Sequence, residues 1–420
     1  MKPTLPRWLG VLGPGLISGA SDDDPSGIST YSVAGASTGF SMLWVLLVTT
    51  PMMAVVQGMC ARIGMVTGDG LARTMRAYLP SWLLYPLALA VIVANTINAG
   101  ADLEGMGASA QMVSHVPEWA WVLAFGIGLA ALQMASSYRT IARVVKWLAL
   151  ALFAYVVTAF VVHVRWLDVL RHLVVPEIRV NAAWLTTLMA VLGTTITPYL
   201  FFWQAALEVE EERAMGRTTL AQREGATRQE IADAHLDANL GMIFSNLVAL
   251  FIIVTTAATL NASGQTHIRS AQDAARALQP LAGNFAYLLF TLGMVATGLL
   301  AIPALVGSSA YVAAESLHWR RGLDLRPDRA PGFYAVLVMG TVIAMAMEFL
   351  HVDPIRALFW SAVLNGIVAV PLLAVIVRIA SDARVMGEWR SSPLARAWGW
   401  ATVAAMGAVA VSIFTFWGKS

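Results

Sequence analysis

A chain of 420 residues with 58% apolar side chains, 12% charged side chains and a mean hydropathy of +0.67 is more apolar than a soluble domain. Its formal charge of +2 is spread over scattered loop arginines, which leaves no nucleic-acid footprint, and a single cysteine, Cys60, excludes an intramolecular disulfide and a thiolate metal cluster. The solvent of such a chain is the lipid bilayer, and at about 20 apolar residues per crossing it holds about eleven spans in one domain over residues 1–420.

The first span is expected near residues 10–38. It is not a cleaved signal peptide, because its apolar run is interrupted at Gly13-Pro14-Gly15 and continues into three aspartates. Ser21-Asp22-Asp23-Asp24-Pro25-Ser26-Gly27 falls where an unbroken apolar helix belongs, and charge at that depth costs about 3 kcal/mol or more unless it is paired, solvated or ligated. Pro25 removes a backbone donor and Gly27 weakens the helix, so the ladder is expected to open and free carbonyls beside Asp24, a setting that attracts a cation. Asp22 and Asp23 read as path-lining groups in a water-filled vestibule or as caps of the second half-helix.

Spans near 42–62, 81–113, 117–136 and 144–164 follow. Asn95 and Asn98 in the third could line a path, although a buried Asn more commonly bonds between helices. Trp82, Trp119, Trp166 and Trp398 stand near span ends as interfacial anchors. The sixth span, near 184–206, carries the second irregularity, Gly193-Thr194-Thr195-Ile196-Thr197-Pro198-Tyr199. One intramembrane proline is often only a kink, and Thr197 could bond its own backbone. Two interrupted segments at corresponding positions point instead to a site between inverted repeats, here roughly 10–164 and 184–378.

The polar stretch from Glu208 to His235 reads as a partly helical loop. Later spans are expected near 236–260, 281–315, 332–350 and 355–378, the last with Asn365 as a path-lining candidate, and an eleventh near 395–417 lies outside the repeat. With the N-terminus in the cytoplasm, twenty of the 27 Lys and Arg fall on that side, so the charge distribution supports eleven spans with the C-terminus outside.

Gly13-Pro14-Gly15-Leu16-Ile17-Ser18-Gly19-Ala20-Ser21-Asp22-Asp23-Asp24-Pro25, followed by Gln57, Ala61-Arg62 and Val66-Thr67-Gly68, resembles the Nramp divalent-metal transporters, most densely over residues 13–72. The resemblance implies an all-α LeuT-type fold, with two inverted repeats of five helices plus an eleventh helix. It also implies alternating access and a metal held between the unwound parts of spans one and six. Typical members read Asp-Pro-Gly-Asn and Met-Pro-His there, whereas this chain reads Asp24-Pro25-Ser26-Gly27 and Thr197-Pro198-Tyr199. Carried over residue by residue, Asp24 keeps the carboxylate ligand, and Gly27 stands for the asparagine. Thr197 stands for the methionine, and Thr194 for an alanine that offers its carbonyl.

Losing the thioether makes the site hard, suited to Mg²⁺, Ca²⁺ or Mn²⁺, and the pattern is similar to the Nramp-related magnesium transporters. Tyr199 replaces the span-six histidine. Of the span-three acidic pair Asp102 remains, while Gly105 takes the other position and Glu104 falls on another helix face. Span nine has no arginine to partner Asp102. The expectation is a monomeric importer of Mg²⁺ and/or Mn²⁺ in a bacterial cytoplasmic membrane, without a cofactor and without strict proton coupling. The alternatives are a proton-coupled Mn²⁺/Fe²⁺ symporter of the ordinary type, a cation channel, and an amino-acid carrier of the same fold, whose carboxylate the three aspartates would repel. An enzyme is disfavoured, because no HExxH or paired histidine ligands occur.

Overall fold

The structure, a computed structural model, describes residues 14–135, 152–162, 164–323, 325–350 and 352–417. These residues form helices joined by short connections, with no strand among them. Eight segments have the length and hydropathy to cross a membrane: Leu43–Thr67, Ser81–Ser114, Ala182–Ala214, Arg228–Asn261, Ala271–Leu317, Pro331–Leu350, Pro354–Ser381 and Pro393–Thr415. They are spans two, three and six to eleven. Span one is present as two halves, Pro14–Asp22 and Pro25–Thr38, span four is the shorter apolar helix Glu118–Met134, and Phe153–Val161 is the described part of span five. The rest of span five, with His163, His351, Lys2, Arg7, Arg139, Arg143, Lys146 and Lys419, lies outside the described residues.

Burial sorts the spans into a centre and a rim. The whole apolar window of span six is buried, against 33% of that of span nine and 28% of that of span eleven, so span six is enclosed by its neighbours. The outer spans present Met339, Val342, Ile343, Val411 and Phe414 outward, as a lipid-facing surface requires. Cys60 is fully buried as a packing residue, and Trp82 and Trp119 are exposed at span ends.

Close backbone contacts hold the broken spans in place. Gly19 lies directly on the main chain of Gly241 in span seven, and Gly193 lies on the main chain of Ala362 and Gly366 in span ten. A Cβ at either glycine would overlap backbone atoms. Apolar helices in lipid gain little from hydrophobic burial, so small residues that let main chains approach supply the packing.

The stretch from Glu208 to His235 departs from the loop expectation. Span six runs on to Ala214, a short helix covers Leu220–Arg223, and span seven starts at Arg228, which leaves only 215–219 and 224–227 as connections. The polar side chains there satisfy one another. Arg217 pairs with Glu212 at 3.2 Å and also with Glu230, and the Thr227 N–H donates to Glu230 Oε2 at 2.8 Å in a capping box. Helix ends that project from the apolar core look like loop when hydropathy is the guide.

Candidate metal site at the two helix breaks

Asp24 makes the first break. It is extended (φ −78°, ψ 169°) and caps the second half of span one, its Oδ1 accepting from the Gly27 N–H at 2.6 Å, with Pro25 at the first helical position. Asp24 Oδ2 accepts from Asn98 Nδ2 at 3.0 Å, and the same amide donates to Asp102 Oδ2 at 3.1 Å. Asp102 Oδ1 accepts from the Ser26 N–H at 3.1 Å, and Asn98 Oδ1 accepts from Asn365 Nδ2 at 2.9 Å. One asparagine thus links spans one, three and ten around the carboxylate.

The second break has the same form with different chemistry. The first half of span six ends at Thr195, and Thr197, extended at φ −98° and ψ 138°, occupies the capping position ahead of Pro198. A threonine there ordinarily accepts an N–H of the following turn. The Thr197 hydroxyl does not, and neither it nor the Thr194 hydroxyl has a partner, although both are buried. Thr195, between them, is satisfied: its hydroxyl donates to the Val191 carbonyl at 2.6 Å and meets the Tyr31 hydroxyl at 3.1 Å. The backbone bonding that could have occupied Thr197 is therefore absent.

Gly27 sets the gap between the breaks. A Cβ on it would stand 3.2 Å from Thr194 Oγ1 and 3.3 Å from Asp24 Oδ1, so both oxygens border the space that a side chain here would fill. The Tyr199 hydroxyl donates to the Ser21 carbonyl at 2.6 Å and ties one break to the other. The last carbonyls of both first half-helices lack a following turn, and these are the negative ends of helix dipoles. The Asp24 carboxylate and the unpartnered Thr194 hydroxyl thus stand about Gly27, and the second break adds the unpartnered Thr197 hydroxyl, oxygen chemistry that suits a hard cation. Among the described residues no group of three or more His, Cys, Asp or Glu is placed to hold a metal ion.

Of the expected site residues, Asp24, Gly27 and Thr194 come together, Asp102 and Asn365 stand behind Asp24 through Asn98, Tyr199 bridges the breaks, and Thr197 lies at the second break. Asp22 and Asp23 do not follow expectation. They are 2% and 3% exposed and turn to span seven, where Ser245 donates to Asp22 Oδ2 at 2.6 Å and lies 3.0 Å from Asp23 Oδ1. They line no open vestibule, and the cap belongs to Asp24, because the chain reaches the extended conformation one residue before Pro25. Asn98, weighed in the sequence as a path-lining residue or an interhelical bond, is the hub of this network, and the four-residue spacing to Asp102 puts both on one face of span three. Asn95 keeps the commoner role, its amide bonding the Leu305 carbonyl at 3.3 Å and Ser309 Oγ at 3.2 Å.

The sequence matches the profile of the natural resistance-associated macrophage protein-like (Nramp) family over residues 15–415. The divalent metal cation transporter MntH of Klebsiella pneumoniae (strain 342) is 25% identical over 408 residues, covering 94% of this chain and 91% of that protein. MntH of Erwinia tasmaniensis is 26% identical over 403 residues, covering 93% and 90%. The fold is similar to that of the Eremococcus coleocola manganese transporter, with a TM-score of 0.76 at 17% identity over 97% of this chain and 87% of that one. It is less similar to MHP1, a nucleobase-cation-symport-1 family transporter, with a TM-score of 0.57 at 14% identity over 96% and 91%. The helical, broken-span architecture is the LeuT-type fold that the sequence led us to expect, and with a family match over nearly its whole length this chain belongs to the Nramp family.

Proposed function

We propose that this Nramp divalent metal cation transporter imports a hard ion, Mg²⁺ with Mn²⁺ as a second substrate, by alternating access and without strict proton coupling. Asp24, Thr194, Thr197 and carbonyls at the two breaks are its ligands. The observation that carries the reading is the buried, unpartnered Thr194 hydroxyl that shares the Gly27 position with the Asp24 carboxylate, with a second buried, unpartnered hydroxyl, that of Thr197, at the same break of span six. Residues 21–27 and 193–199 contain no thioether, thiol or imidazole, so a soft-metal preference has no donor there. Mg²⁺ keeps much of its water and needs few direct ligands.

Uncoupled transport is supported by what surrounds Asp102. Its two oxygens accept from Ser26 and Asn98, Tyr199 stands in place of a relay histidine, and Glu104 is directed elsewhere. Moving two charges through 100 mV is worth roughly 4 to 5 kcal/mol, so an inside-negative potential alone can drive entry. With the N-terminus in the cytoplasm, as the Lys and Arg distribution favours, entry runs from the side of the His115 turn toward that of Arg217. A proton-coupled carrier of Mn²⁺ or Fe²⁺ is the second reading, and only its manganese part is favoured by the name of a structural relative, a manganese transporter.

Competition for Mn²⁺ uptake into proteoliposomes tests the ion class. Mg²⁺ at physiological excess should suppress Mn²⁺ entry, and Asp24→Ala should abolish entry of both. Mn²⁺ entry that Mg²⁺ leaves unchanged would overturn the hard-ion reading.

A further inference from the structure

A depression where spans three and ten reach the end of the bundle joins apolar walls to a basic rim. A cavity of about 610 Å³ opens there, between the short helix Leu71–Tyr78, the start of span three and the end of span ten, on the side that the charge distribution assigns to the cytoplasm. Leu79, Leu83, Ala374 and Val375 give it apolar walls. Arg378 and Arg384 line it as well, with Asp382 between them in the chain. Ala374 and Arg378 are four residues apart on one face of span ten, so the basic group stands one turn beyond the apolar wall.

The charges of the rim do not cancel. Asp382 is taken up by Arg384, whose Nη2 donates to Oδ2 at 2.6 Å and whose Nε donates to Oδ1 at 3.1 Å, while the Arg384 main-chain N–H donates to Oδ1 at 2.9 Å. Arg378 is exposed, and among the described residues no carboxylate pairs with it. It belongs to the last turn of span ten, where the helix dipole favours a cation, and its guanidinium fork is left open. Such a fork matches the oxygens of a phosphate two at a time.

The surroundings favour a lipid over a free anion. Span three turns Trp82, Tyr85 and Leu89 outward, and Trp82 is the chain neighbour of Leu83 in the cavity wall. Exposed aromatic rings at a span end mark the headgroup level, with acyl chains beyond it. A soluble phosphate has no use for the apolar walls, whereas a phospholipid presents charge and hydrocarbon in the order that the cavity offers them.

We infer that this cavity binds an anionic phospholipid of the cytoplasmic leaflet, its phosphate on Arg378 and its acyl chains along Leu79, Leu83, Ala374 and Val375. Basic pockets between spanning helices on that side of a membrane are suited to such headgroups. The site stands apart from the two helix breaks, so it does not depend on which ion is carried or on how transport is driven.

Native mass spectrometry of the delipidated full-length protein, titrated with phosphatidylglycerol or with phosphatidylcholine of the same acyl chains, tests this. One phosphatidylglycerol per chain is expected to bind roughly tenfold more tightly than phosphatidylcholine, and Arg378→Gln should remove that preference. Arg378 is exposed at a helix end, so the lipid-free variant should melt as the parent does. Inorganic phosphate in millimolar excess should leave the lipid bound. Equal binding of the two lipids, a preference that survives Arg378→Gln, or displacement of the lipid by inorganic phosphate would overturn the lipid site.

Discussion

Gly27 fixes how close the two breaks stand, and the smallest change there is informative. In Gly27→Ala the added methyl sits 3.2 Å from Thr194 Oγ1 and 3.3 Å from Asp24 Oδ1, tight against both. Metal uptake should fall by about tenfold, equivalent to about 1.4 kcal/mol, while the thermal melt stays close to that of the parent. Thr197→Met works in the opposite direction by restoring a soft donor. The ratio of Cd²⁺ to Mg²⁺ uptake should rise several-fold, and an unchanged ratio would remove Thr197 from the ligand set. Asn98→Ala strips the shared donor from Asp24 and Asp102 and leaves Asn365 unpaired, a loss of about 2 to 3 kcal/mol in stability measurable as a lowered melting temperature in detergent.

Among the elements, the break of span one was legible as a pattern, because Asp-Pro-x-Gly supplies a cap, a starting proline and room for a neighbour. Where the adjacent acids went was not legible. Asp22 meets Ser245 across 223 residues of sequence, where the close approaches of Gly15 to Ala238 and of Gly19 to Gly241 bring those helices together. Span boundaries followed hydropathy where helices sit in the apolar layer, and failed at Glu208–His235, where helix continues into water on ion pairs. The densely family-like stretch ends in a latch at that same face of the molecule. Asp69 pairs with Arg321 and, at 2.9 Å, with Arg73, while Glu315 of span eight accepts from the N–H groups of Ala72 at 3.0 Å and Arg73 at 3.2 Å. Arg321 also bonds Glu315 at 3.0 Å. Burial draws the Arg321 guanidinium down to about 10, still well above neutral pH, so it stays charged between the two acids. Arg321→Ala should cost about 3 kcal/mol, because Glu315 is left buried with backbone donors alone and Asp69 with Arg73 alone, and the readout is a lowered thermal transition.

Across the whole molecule, the candidate site lies where both broken spans meet the glycine-mediated contacts. Asp24, Thr194 and Thr197 are each no more than 3% exposed, as the proposed alternating-access cycle would require of a closed step. The fold class and the two breaks could be read from the chain because each break carries its own proline. The network behind them, centred on Asn98, could not, since it depends on how spans one, three and ten approach one another. The central claim is that the membrane potential, rather than protons, draws a hard divalent ion through Asp24. The most direct measurement follows Mg²⁺ and pH together inside proteoliposomes held at a negative-inside potential. The account predicts Mg²⁺ entry without acidification, lost in Asp24→Ala; acidification in step with the metal, or no Mg²⁺ entry at all, would contradict it.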